Sequence, residues 1–148
     1  MRNLLASTLL LAVAACGPTD EERAAERAAA IEVVEQFGGR LMHVNLLVPP
    51  DSLGRMVQQH YGPYVTTLQL GTWMSDLRTA PGRQTSSPFP ARVEVREVAP
   101  DGRTAYHVTG QVLHVTELDG DPVLRTPFTA RVVRRPDGAW RIAEWNSR

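Results

Sequence analysis

The chain of 148 residues has no lysine, one cysteine and only nine aromatic residues (three each of Trp, Tyr and Phe). Its 16 basic residues are all arginine, and 16 acidic residues balance them to a formal charge of zero. Each scarcity removes a class of function. Without lysine there is no Schiff-base chemistry and no phosphate-loop lysine. One cysteine makes neither an intrachain disulfide nor a cysteine-rich zinc site. A neutral chain has no general electrostatic reason to hold nucleic acid. No Gly-x-Ser-x-Gly elbow is present, no cofactor-binding motif can be read, and there is no internal repeat or long linker. What remains is a hydrophobic fraction of 43%, which is ordinary for one folded domain and too high for global disorder.

The N-terminus carries the most specific signal. Arg2 supplies a positive start, and Leu4 to Ala15 then runs without a charge. That stretch falls short of the ~20 apolar residues a bilayer span needs, but it has the length of a signal-peptide core. It ends in Val13-Ala14-Ala15-Cys16, small residues directly before the only cysteine. The segment resembles the lipobox of bacterial lipoproteins, although leucine is commoner where Val13 stands. The resemblance implies cleavage after residue 15, lipidation of Cys16 by diacylglyceryl and an amide-linked acyl chain, and a short lipidated tether over residues 16–20. Two or three acyl chains anchor stably where one does not, because each buried methylene contributes ~0.8 kcal/mol. Gly17, in place of an aspartate, implies the periplasmic side of the outer membrane in a cell that has one.

Beyond the tether, local signals predict helices first. Thr19 and Glu22 have capping-box spacing, and Asp20, Glu21 and Glu22 suit the positive end of a helix dipole. Ala24, Ala28, Ile31, Val34, Gly38 and Leu41 recur at helical spacing and predict an apolar stripe on a helix over 20–47, bent or ended at Gly38-Gly39. Pro49-Pro50 stops it. Asp51 or Ser52 can cap a short second helix with Leu53, Met56, Val57, His60 and Tyr61 on one face. Thr66 or Thr67 can begin a third, with Leu70, Trp73, Met74 and Leu77 inward. A polar connector punctuated by prolines follows over 83–90.

From Ala91 the period changes to two. Runs around Val93-Val95, Tyr106-Val112, Phe128-Val132 and Trp140-Ile142 are separated by turns at Asp101-Gly102, Asp119-Gly120 and Asp137-Gly138, which predicts an antiparallel meander of four strands. Leu113 and Val115 fall on the opposite phase to Val112, so a bulge or bend is expected between Gly110 and Leu113. Pro127 predicts that its end of the strand lies beyond the pairing or at a bulge.

Helices followed by such a sheet predict an α+β domain over 21–148. The order is similar to the NTF2-like superfamily, in which a curled sheet wraps a long N-terminal helix into a cone. The amphipathic helix, the short helices before residue 80, the meander and the Gly-Ala-Trp-Arg-Ile run at 138–142 carry the resemblance. A hairpin that many members hold between their helices is not found. The resemblance implies a ligand pocket in the cone and allows pairing of two copies through the outer face of the sheet. Some members are isomerases or dehydratases, others only bind. Tyr106, Glu144, Trp140 and Trp73 are the pocket residues to examine. Acid/base chemistry would need an inward carboxyl, and Glu144 shares a strand phase with Ile142.

Other constellations point less sharply. His43, His60, His107 and His114 form no metal motif, and a regular strand sends His107 and His114 to opposite faces. Arg83, Thr85, Ser86 and Ser87 could grip a phosphate or carboxylate, or simply set turns in a solvated connector. Arg134-Arg135 does not make a lipid-binding patch. The expectation is therefore a lipid-anchored envelope protein acting as a non-enzymatic binding or interaction module. Its partners would be the membrane, through the anchor, and an envelope protein or small ligand. The alternative is a small isomerase- or dehydratase-like enzyme working in the cone.

Overall fold

Thr19 starts the first helix through both halves of a capping box. Its Oγ1 accepts from the Glu22 amide at 3.2 Å, and the Glu22 carboxylate accepts from the Thr19 amide at 2.7 Å. A computed structural model of the protein describes residues 17–147, so Cys16 and the apolar segment before it lie outside the described residues. Pro18 is already tied to the fold, because its carbonyl accepts from the Arg23 guanidinium. Helix α1 spans Asp20–Gly38, and a single 3₁₀ turn follows at Leu41–His43. The expected helix to residue 47 is therefore cut at the two glycines.

The stripe α1 buries is rotated from the one its spacing predicts. Ala30, Val33, Val34, Phe37 and Gly38 are buried, while Ala24 and Ala28 are exposed. Alanine is the reason. An alanine-rich first half gives no large side chain to fix a face, so the bulky Val33, Val34 and Phe37 choose it.

Helix α2, Pro50–Tyr61, starts with Pro50 in the first turn, where a missing amide costs nothing. Pro49 takes the cap position expected for Asp51 or Ser52. Helix α3, Thr67–Ser75, is capped by Thr66, whose hydroxyl accepts from the Gln69 amide. Trp73 is buried as expected, but the other buried residue on α3 is Gln69, and Met74 is exposed.

Strands β1 (Phe89–Pro100), β2 (Ala105–Val115), β3 (Leu124–Arg134) and β4 (Trp140–Ser147) form one antiparallel sheet in sequence order. The three helices pack on it, an α+β arrangement, with α1 over all four strands. The Asp-Gly turns fall where the sequence places them.

The bulges do not. β2 pairs regularly with β3 throughout, and the irregularities lie in β1, at Ala91 and Arg96, and in β4, at Ala143. The phase change at Leu113 has a different cause. Val112 faces the helices, and Leu113 and Val115, on the opposite face, are buried as well. Gly110 answers a close approach rather than a bend. A Cβ there would stand 2.7 Å from the ring of Phe128 and would also strike the β1 backbone. Pro127 pairs with Gln111 inside the β2–β3 ladder, but β4 reaches β3 only from Phe128 onward. The proline thus sits where β3 has no second neighbour.

Between sheet and helices lies an aromatic knot. Phe37 from α1 touches Tyr61 at 4.8 Å and Trp145 at 4.8 Å between ring centroids, and Trp145 stacks on Phe128 at 4.6 Å. The Tyr61 hydroxyl donates to the Pro81 carbonyl, and burial pushes its pKa far above the ordinary tyrosine range. The outer face of the sheet carries charge pairs, with Arg96 and Arg125 both paired to Glu94, beside the buried Leu113 and Val115.

Candidate functional site

The sheet's inner face is covered unequally, and the gap is the site. α1 crosses one end. The other end is roofed by α3, the 3₁₀ turn at Leu77–Thr79 and the proline-rich connector. An open cavity of about 990 Å³ remains there. Its walls include Trp73 from α3, Pro88 from the connector, Val112 and His114 from β2, and Thr126 and Trp145 from the last two strands.

Most polar groups around this cavity are already engaged. Gln69, with its amide oriented by its neighbours, donates to the Ala143 carbonyl and accepts from Trp73 Nε1, both at 3.1 Å. Trp145 Nε1 donates to the Ser147 hydroxyl at 3.0 Å. The Thr85 hydroxyl donates to the Pro88 carbonyl and so sets a turn, while Ser86 and Ser87 are exposed.

One pair stands apart. His114 Nε2 and Thr126 Oγ1 lie 3.0 Å from each other across β2 and β3, and both line the cavity. Burial lowers the His114 pKa below its ordinary value, so the ring is neutral at pH 7. A neutral imidazole has one donor and one acceptor, and Thr126 uses one of them.

The pocket residues expected from the sequence do not all converge. Trp73 lines the cavity. Tyr106 and Trp140 do not. They pack on each other at 5.5 Å between centroids beneath the first half of α1, with the Tyr106 hydroxyl directed at the Arg23 carbonyl. Glu144 is exposed and reaches only the rim. The bulge at Ala143 is the cause. Val132 pairs with Ile142 and Arg131 with Glu144, so one extra residue reverses the phase and turns Trp145 inward in place of Glu144. His107 and His114 do stand on opposite faces, as their spacing predicts on a regularly paired strand. His43 and His60 stack at 5.2 Å with 14° between planes, a pairing no sequence spacing announces. Burial first, then His43 and Arg40, lowers the His60 pKa.

Sequence reasoning missed His114–Thr126 and Gln69. His114 and Thr126 are twelve residues apart, and only the β2–β3 register brings them together. The signal for Gln69 was one polar residue four before Trp73, too common to single out. Among the described residues, no group of three or more His, Cys, Asp or Glu could hold a metal ion, and no helix is long and apolar enough to cross a membrane. Comparison with known proteins gives no match, whether to family models, to curated proteins or to solved structures.

Proposed function

We propose that this is a bacterial lipoprotein of the cell envelope, held by Cys16 on the periplasmic side of an outer membrane, whose NTF2-like domain is a non-enzymatic binding module. For the anchor, the supporting observation is the sequence Val13-Ala14-Ala15-Cys16 after an uncharged apolar run. Thr19 caps α1 three residues after Cys16, which leaves almost no slack between the anchor and the domain. For the fold, the support is the order of elements, helices first and then a four-stranded antiparallel meander with α1 packed across it.

The binding reading rests on the cavity. It is open and of ligand size, yet among the described residues no carboxyl points into it, because Glu144 is turned to the rim. Acid/base chemistry of the isomerase kind needs such a group. A second reading has one observation in its favour. His114 Nε2 and Thr126 Oγ1 have the spacing of a base and a hydroxyl nucleophile. No carboxylate among the described residues hydrogen-bonds His114 to orient it, and an enzyme of this type normally supplies that third group. The pair therefore suits ligand recognition better than catalysis.

The anchor is tested in the native cell. Intact-mass spectrometry should find a polypeptide that begins at Cys16 and carries the mass of two or three acyl chains. Cys16→Ala should move the protein from the membrane fraction to the soluble or uncleaved pool. A native chain starting at Met1, or one without added lipid, overturns the anchor.

A further inference from the structure

The charge inventory of the cavity says what kind of molecule it can take. Among the described residues, two ionised side chains border it, Arg78 and Glu144, and their charges are opposite. The Arg78 side chain is 93% exposed and paired with Asp76, so it belongs to the solvent rather than to the interior. The remaining titratable group, His114, is held neutral by burial. Both charges stand at the exposed rim, so a charged ligand that passes it gives up hydration without a buried counter-charge among the described residues.

The apolar walls offer the opposite. Trp73, Val112, Pro88 and Trp145 present hydrocarbon and ring surface to the opening. The polar groups of Gln69 and Trp145 are spent on protein partners. Gln84 and Asn146 also border the cavity but are exposed at its rim, which leaves His114 and Thr126 as the half-buried polar pair of the wall. Their mutual bond still leaves His114 Nδ1 and a lone pair of Thr126 without a partner among the described residues.

We propose that the cavity binds an uncharged, mostly apolar small molecule, oriented by a single hydrogen-bonding group docked on His114 and Thr126. This rests on the reading of the cavity as a binding site, and it adds the ligand's chemical class and the residues that fix its orientation. The pair gives specificity, since an analogue lacking the polar group would leave both side chains poorly satisfied.

The test uses two fluorescent probes of matched shape, the uncharged N-phenyl-naphthylamine and its sulfonated relative anilinonaphthalene sulfonate. Titrations use the full chain carrying Cys16→Ala, so that no acyl chain competes for probe. Leu124→Trp, in a half-exposed residue of the cavity wall, serves as the plug. Only binding that the plug removes is counted, because the apolar N-terminal segment can also take up probe. The uncharged probe should show one saturable site per chain, about tenfold or more tighter than the sulfonate. Thr126→Val, nearly the same volume, should weaken it about fivefold in a chain that still melts cooperatively, its midpoint lowered only by the loss of the bond to His114.

Equal or tighter binding of the sulfonate overturns the ligand class and leaves the cavity reading standing. Unchanged affinity in Thr126→Val overturns the role of the His114–Thr126 pair. No plug-sensitive binding of either probe overturns the cavity reading itself.

Discussion

The two ends of the sheet's inner face are built from the same strands and end up with opposite properties. At one end Tyr106 and Trp140 lie largely buried beneath α1, and further along Phe37 wedges between Tyr61 and Trp145. At the other end Val112, His114 and Thr126 look into a cavity of about 990 Å³. The strands alternate equally well at both ends. The covering chain makes the difference. α1 crosses its end as one regular 19-residue helix that lays Ala30, Val33, Val34 and Phe37 on the sheet, whereas the chain from α3 through the connector crosses the other end as short helices and irregular, proline-punctuated backbone. Well-filled space gives stability, and unfilled space beside polar groups gives a place for a ligand.

That comparison breaks most violently at the closed end. Phe37 is fully buried and touches three other rings. Phe37→Ala should cost about 3–5 kcal/mol, the range for removing a buried phenylalanine, seen as a large drop in the denaturation midpoint. A loss under about 1 kcal/mol would mean that the aromatic knot is not the core of the fold.

Gly110 sits at the border between the two ends, against Phe128. Gly110→Ala should destabilise by about 1–3 kcal/mol, because the new methyl meets both a ring and the neighbouring backbone. Denaturant melts of this variant measure it, and a neutral or stabilising result would show that β1 and β2 are free to separate there.

The smallest expected effect sharpens the contrast through pH. His114 at the open end and His60 beside His43 both have pKa values lowered by burial from the ordinary 6.5. Their unfolded forms take up protons first as pH falls. Stability from both is therefore full above about 6.5 and is lost progressively below it, toward the lowered folded values. Melting temperatures measured between about pH 7.5 and 5.5 should fall with acidification, and His114→Gln combined with His60→Gln should flatten the slope. An unchanged slope in the double variant would assign the acid sensitivity to other groups.

Much of this architecture is legible in the chain because it is local. A capping box needs residues three apart, and Thr19 and Glu22 are both present and both used. Asp-Gly turns need two adjacent residues, and all three mark real strand boundaries. The errors occur where local pattern underdetermines a face. The alanines of α1 fit any stripe. Glu144 fits the phase of Ile142 until one extra residue, Ala143, enters the pairing with β3.

The sequence by itself determined the order and kind of the elements, the turns between them and the apolar, cysteine-terminated N-terminal segment, since each depends on neighbours a few residues apart. Only the tertiary structure decided which side chains meet. Strand register joined His114 to Thr126, a bulge exchanged Glu144 for Trp145, and the irregular chain over one end of the sheet left the cavity open. Those outcomes depend on how distant segments pack against one another, and no spacing within a single segment encodes them.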